Sequence, residues 1–112
     1  MTPNETLADE WEQCALGRSI THEEHVRIAF VLLRRHGRDE GIRRIDEGTR
    51  RNSAALGAEE RYDAELTRRW SDAVADAVEE TGAEDADELI RAHTELLRSD
   101  LFGPPAWKAS ET

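Results

Sequence analysis

The sequence predicts an all-α fold, a single-domain bundle of four to five mostly antiparallel helices spanning residues 1–112. Three observations predict it. Apolar residues recur at three- and four-residue spacing in successive blocks, as amphipathic helices require. Gly17, Gly37, Gly57 and Gly82 separate those blocks, where helices end and the chain turns back. No stretch shows the apolar–polar alternation of a half-buried strand, and no internal repeat or low-complexity segment is present. With 112 residues there is length for one domain and one core.

The first helix is expected from about Glu5 to Leu16, with Leu7, Trp11, Cys14 and Ala15 on its apolar face and Gly17 as its stop. Ser19-Ile20-Thr21 is a short linker. Thr21 and Glu24 then have the spacing of a capping box, the strongest helix start in the chain. The second helix runs from His22 to His36 and ends at Gly37. Its polar residues Glu23, Glu24, Arg27, Arg34 and Arg35 share one wedge, interrupted by Val31. Val26, Ile28, Ala29, Phe30, Leu32 and Leu33 cover most of the remaining circumference, which puts this helix at the centre.

A third helix, from about Asp39 to Leu56, carries a narrow stripe of Ile42, Ile45, Thr49, Asn52, Ser53 and Leu56. The fourth, from about Glu59 to Thr81, carries Tyr62, Leu66, Trp70, Val74 and Val78. The fifth, from about Asp85 to Arg98, carries Leu89, Ile90, His93, Leu96 and Leu97. Between Asp100 and Trp107, Leu101, Phe102, Pro104 and Pro105 make an irregular tail that is expected to pack back on the bundle. Residues 1–4 and 108–112 are expected to fray.

Charge narrows the choice of partners. The formal net charge is −10, from 25 acidic and 15 basic residues, and it opposes binding to nucleic acid or to an anionic membrane. The distribution is uneven: seven arginines face four acids between Arg34 and Arg51, and twelve acids face three arginines between Glu59 and Glu88. Helix faces that pair with each other explain such blocks more simply than an anion-binding patch. Cys14 is the single cysteine, so neither a disulfide framework nor a cysteine-based zinc site is available. No apolar run approaches the roughly 18–20 residues that span a membrane. The N-terminus lacks the basic and apolar regions of a signal peptide, so a cytoplasmic location is expected. Fourteen of the fifteen basic residues are arginine, a bias that resembles proteins of GC-rich bacteria.

One constellation invites chemistry. His22 and His25 lie one turn apart at the start of the most apolar helix, on the arc shared by Ala29 and Leu33. Neutral imidazoles at this spacing can share one metal ion if facing helices supply further ligands. The separation of three differs from the separation of four in the H-E-x-x-H zinc motif. On the fourth helix Asp63 falls within the apolar stripe, and a carboxylate so placed needs a partner. His22, His25 and Asp63 are therefore the candidate polar or metal site, and a divalent transition metal is the cofactor they would take. Thr49, Asn52, Glu59, Tyr62 and Trp70 are the groups expected around it or around a substrate, with His93 a further candidate nitrogen.

Thr21-His22-x-x-His25 before an apolar run, then Asn52, then Tyr62-Asp63-x-x-Leu66-Thr67, resembles a small family of uncharacterised bacterial helical proteins. The likeness spans about residues 11 to 100. That family has a Tyr-Asn pair and a Tyr-His-Glu-Thr element. This chain has Arg51 before Asn52, and Asp63 and Ala64 in place of the histidine and glutamate. If those residues hold a metal in the family, the resemblance implies a changed ligand set of His, His and Asp here. It implies no reaction.

Two readings remain open. In one, the histidine site binds a metal ion or a small molecule, with or without catalysis. In the other, the histidines are structural and the protein is a non-catalytic interaction or ligand-binding module that acts as a homodimer through its arginine-patched surface and apolar tail.

Overall fold

The structure, a computed structural model, describes residues 1–98. Those residues are all-helical, with no strand among them. Four α-helices follow in order: α1 (Pro3–Glu12), α2 (His22–Ala55), α3 (Ala64–Thr81) and α4 (Ala86–Ala92). Short 3-10 turns occupy Glu59–Arg61 and Thr94–Leu97. None of the helices is long and apolar enough to cross a membrane. The tail expected to pack back on the bundle lies outside the described residues.

Helix α2 is two helical limbs joined through one residue. Gly37 has φ 81° and ψ 178°, a backbone state open to glycine and strained for any residue with a Cβ. The break falls where the sequence places a helix end, and it reverses the chain. A straight helix would hold His25 and Thr49 about 36 Å apart at ~1.5 Å per residue, yet their side chains meet at 3.5 Å. Leu33 and Gly41 also touch: a Cβ on Gly41 would lie 2.9 Å from the Leu33 Cα. Both pairs are symmetric about Gly37, four residues away on each side for one and twelve for the other. The limbs therefore form a close-packed αα-hairpin.

The first limb is the centre of the core. Ile28 through Leu33 are buried without interruption, including Val31, which breaks the polar wedge of the sequence. Trp11 and Ala8 of α1, Ile42 and Ile45 of the second limb, Trp70 and Val74 of α3, and Leu89 of α4 close around it. Ion pairs cross these contacts, and those of Arg38 join the two charge blocks of the sequence. Arg38 reaches Asp72, Asp76 and Glu79 of α3, Arg35 reaches Asp9 and Glu5 of α1, and Arg27 reaches Asp87 of α4.

Helix α1 begins at Pro3 under a Thr2 cap, within the stretch expected to fray, and three further boundaries differ from the sequence expectation. Helix α1 ends at Glu12 because Cys14 takes a left-handed φ of 56°. Its N–H donates to the Trp11 carbonyl, and that of Ala15 to the Glu10 carbonyl, which together make a Schellman end. Helix α3 starts five residues later than Glu59, because Asp63 stands as its N-cap. Helix α4 stops at Ala92, where His93 leaves helical geometry and the chain tightens into a 3-10 turn.

Candidate functional site

The capping box at Thr21 builds the site's first side chains into place. The Thr21 hydroxyl accepts from the Glu24 N–H, and the Glu24 carboxylate accepts from the Thr21 N–H. This fixes the first turn of α2, on which His22 and His25 stand one above the other. The Arg18 fork grips the same carboxylate at 2.9 and 2.8 Å. Together the arginine and the cap hydrogen bonds hold the Glu24 carboxyl down to about 2.

His25 is enclosed by aromatic rings. The Trp70 indole stacks on it with centroids 4.3 Å apart and planes 21° from parallel, and the Trp11 indole lies at 5.9 Å on a tilt of 50°. His22 stands edge-on to Trp70 at 5.6 Å. Burial pushes the His25 ring down to about 4, and the neighbouring His22 adds to the effect. The ring is neutral at physiological pH. His25 is only half-buried because it also lines an open groove.

Each wall of this enclosure has a local cause. Trp11 is 2% exposed, and its ring sits directly on Gly48: a Cβ there would fall 2.3 Å from the indole. Asn52 then ties α1 down, with its amide nitrogen donating to the carbonyls of Trp11 (2.8 Å) and Gly48 (2.9 Å). Thr49 donates its hydroxyl hydrogen to the Ile45 carbonyl at 2.7 Å. Its oxygen faces the His25 Nε2 at the edge of hydrogen-bonding range. Trp70 is buried with its indole N–H unpartnered among the described residues, a loss of about 1–3 kcal/mol that the ring stack must offset.

The groove holds about 270 Å³, and its apolar lining includes Trp11, Ile20 and Leu56. His25, Thr49, Asn52 and Ser53 belong to the same lining, together with Arg18, Ser19, Ala58 and Arg61. A larger groove of about 510 Å³, between the second limb of α2 and α3, is lined by residues including Asp39, Arg43, Asp46 and Arg68. It contains no imidazole, and Arg43 and Arg68 are tied to neighbouring carboxylates.

Of the sequence-predicted residues, the structure brings together His22, His25, Thr49 and Trp70, with Asn52 beside them. It gives the others separate work. Asp63 accepts from the Leu66 N–H at 3.0 Å as the cap of α3. Its place on the apolar stripe assumed a helix that has not yet begun there. Tyr62 donates its hydroxyl to Asp46 of α2, and burial together with that carboxylate raises the phenol to about 12. Glu59 is exposed on the 3-10 turn Glu59–Arg61. His93 donates from Nδ1 to Glu95 at 2.8 Å and lies 3.9 Å from Glu80, in a different groove.

The expected His22–His25–Asp63 metal centre is thus not assembled. Among the described residues no group of three or more His, Cys, Asp or Glu is arranged to hold a metal ion. His22 also commits its Nε2–H to the Leu96 carbonyl at 2.8 Å, which leaves only Nδ1 as a ligand atom on the neutral ring. Sequence reasoning missed Trp11, Gly48 and Arg18 as parts of the site. A glycine in mid-helix, one turn before Asn52, is the signal that a bulky ring approaches there.

The chain matches no protein-family model, no curated protein and no solved structure. Its resemblance to small helical proteins stands on the short motifs alone, and the reading of function rests on the geometry of the groove.

Proposed function

We propose that the protein is a small-molecule binding module whose ligand sits in the groove beside His25. The reading takes the helices as one bundle of mostly antiparallel neighbours, with the groove at the end away from Gly37. The observation that carries it is a neutral imidazole stacked on one indole and in contact with a second, yet lining an open groove of mixed apolar and polar residues. Small-ligand sites combine these features: a mostly apolar enclosure and a few fixed hydrogen-bonding groups. The ring is a hydrogen-bonding surface rather than a base, since a group that titrates at about 4 is a weak proton acceptor at neutrality. No catalytic step is assigned to it. A cytoplasmic setting without nucleic-acid or membrane partners belongs to the same proposal.

The test is a thermal-shift screen of small organic compounds on wild-type protein and on His25→Phe, whose ring preserves the stacking while removing both nitrogens. Compounds that raise the Tm of the wild type but not of the variant support the proposal. Hits that act equally on both place the ligand elsewhere. A screen without hits, together with a dimer in sedimentation analysis, favours the alternative of a homodimeric interaction module with structural histidines.

A further inference from the structure

The groove beside His25 differs in charge from the rest of the molecule. In a chain with 25 acidic and 15 basic residues, its lining holds two arginines and no aspartate or glutamate among the described residues. Each of the four other grooves described between the helices carries at least two carboxylates. We infer that this groove takes a small organic anion, a monocarboxylate with a flat apolar body, and that Arg18 is the partner of its carboxylate. The inference rests on the small-molecule reading above and names the ligand class for the same site.

Arg18 is prepared for this role by what holds it. Its Nη1 donates to Glu24 Oε1 and to the Ser19 carbonyl, and its Nη2 donates to Glu24 Oε2. These bonds use three of the five guanidinium N–H groups, and two are left without a partner among the described residues. Glu24 is itself fixed by the backbone of Thr21, so the helix cap also orients the arginine. A guanidinium already held in one geometry loses less freedom on binding an anion than a free one. Glu24 offsets part of the Arg18 charge, so recognition rests on hydrogen bonds from the remaining N–H groups of a side chain that lines the groove.

The remaining walls suit the rest of such a ligand. Trp11, Ile20 and Leu56 supply apolar side chains to the lining. Asn52 has both amide hydrogens committed to backbone carbonyls, so its oxygen is left to accept from a hydroxyl or amine on the ligand. A volume of about 270 Å³ fits one ring and its substituents rather than a nucleotide.

The experiment is an NMR titration of the full chain with benzoate, benzamide and benzylamine, followed at the amides of Arg18, Ser19, Thr49 and Asn52. Benzoate is expected to shift these signals with an affinity roughly tenfold or more above those of the other two. Arg18→Gln, at a side chain 51% exposed and outside the core, is expected to abolish that preference while the circular dichroism spectrum stays unchanged. Equal binding of benzoate and benzamide overturns the anion inference and leaves the small-molecule reading standing. A benzoate preference that survives in Arg18→Gln overturns the role of Arg18. If none of the three shifts these amides, both the inference and the reading beneath it fall.

Discussion

His25 couples the site to pH through a single ring. Its folded-state pKa of about 4 lies below the ordinary histidine value of 6.5, so the unfolded chain takes up a proton first as pH falls. The stability this neutral ring contributes is complete above about pH 6.5 and is lost between there and pH 4. The upper bound is about 3 kcal/mol, reduced because one side of the ring meets the groove. Chemical denaturation at pH 7 and pH 4.5 should show this loss in the wild type and not in His25→Phe. Equal losses in the two proteins would remove His25 as the cause. The carboxylates of Glu24 and Glu40, each held down to about 2 by arginines, act in a separate window below about pH 4.5. Their positions on the surface make their share small.

At the scale of elements, the packing of α1 on α2 depends on the absence of a side chain at Gly48. Alanine there gains about 1 kcal/mol of helix propensity, but its Cβ would stand 2.3 Å from a buried indole. Forcing such a ring aside costs about 1–3 kcal/mol and loosens one wall of the His25 enclosure. Gly48→Ala should therefore lower the Tm by roughly 5 °C in calorimetry. A Tm that stays level or rises would mean that Trp11 repacks freely. This contact also marks where the sequence stopped being legible. The capping box at Thr21, the break at Gly37 and the enclosed first limb of α2 are local patterns, and the sequence carries them plainly. The early end of α1 is hidden because a left-handed residue that is not glycine leaves no mark in composition. Asp63 was misplaced because helical spacing continues by coincidence from Tyr62 into α3, although aspartate is also a preferred N-cap. The buried side for His25 followed from the helical wheel. Its two tryptophan neighbours come from α1 and α3, and which of them meet is decided only by tertiary packing.

For the molecule as a whole, ion pairs of Arg27, Arg35 and Arg38 link the helices, and those of Arg38 join the two charge blocks of the sequence. Because most of these side chains are partly exposed, they contribute little stability singly and instead set which helix faces meet. Added salt should therefore change the Tm only modestly, and the apolar packing around the first limb of α2 should carry most of the stability.

The hairpin symmetry around Gly37 has a consequence for the order of assembly. Contacts near the bend join residues close in sequence, such as Leu33 and Gly41, while His25 and Thr49 close a loop three times longer. Closing that longer loop costs about 1 kcal/mol more in chain entropy. The hairpin should zip from Gly37 outward and fray from the opposite end inward, where the groove lies. Hydrogen exchange should thus be slower at the amides of Leu33 and Ile45 than at that of Asn52, and the reverse gradient would contradict this order. A ligand in the groove would act as a clasp on the open end of the zipper, so that recognition and completion of the fold become one event.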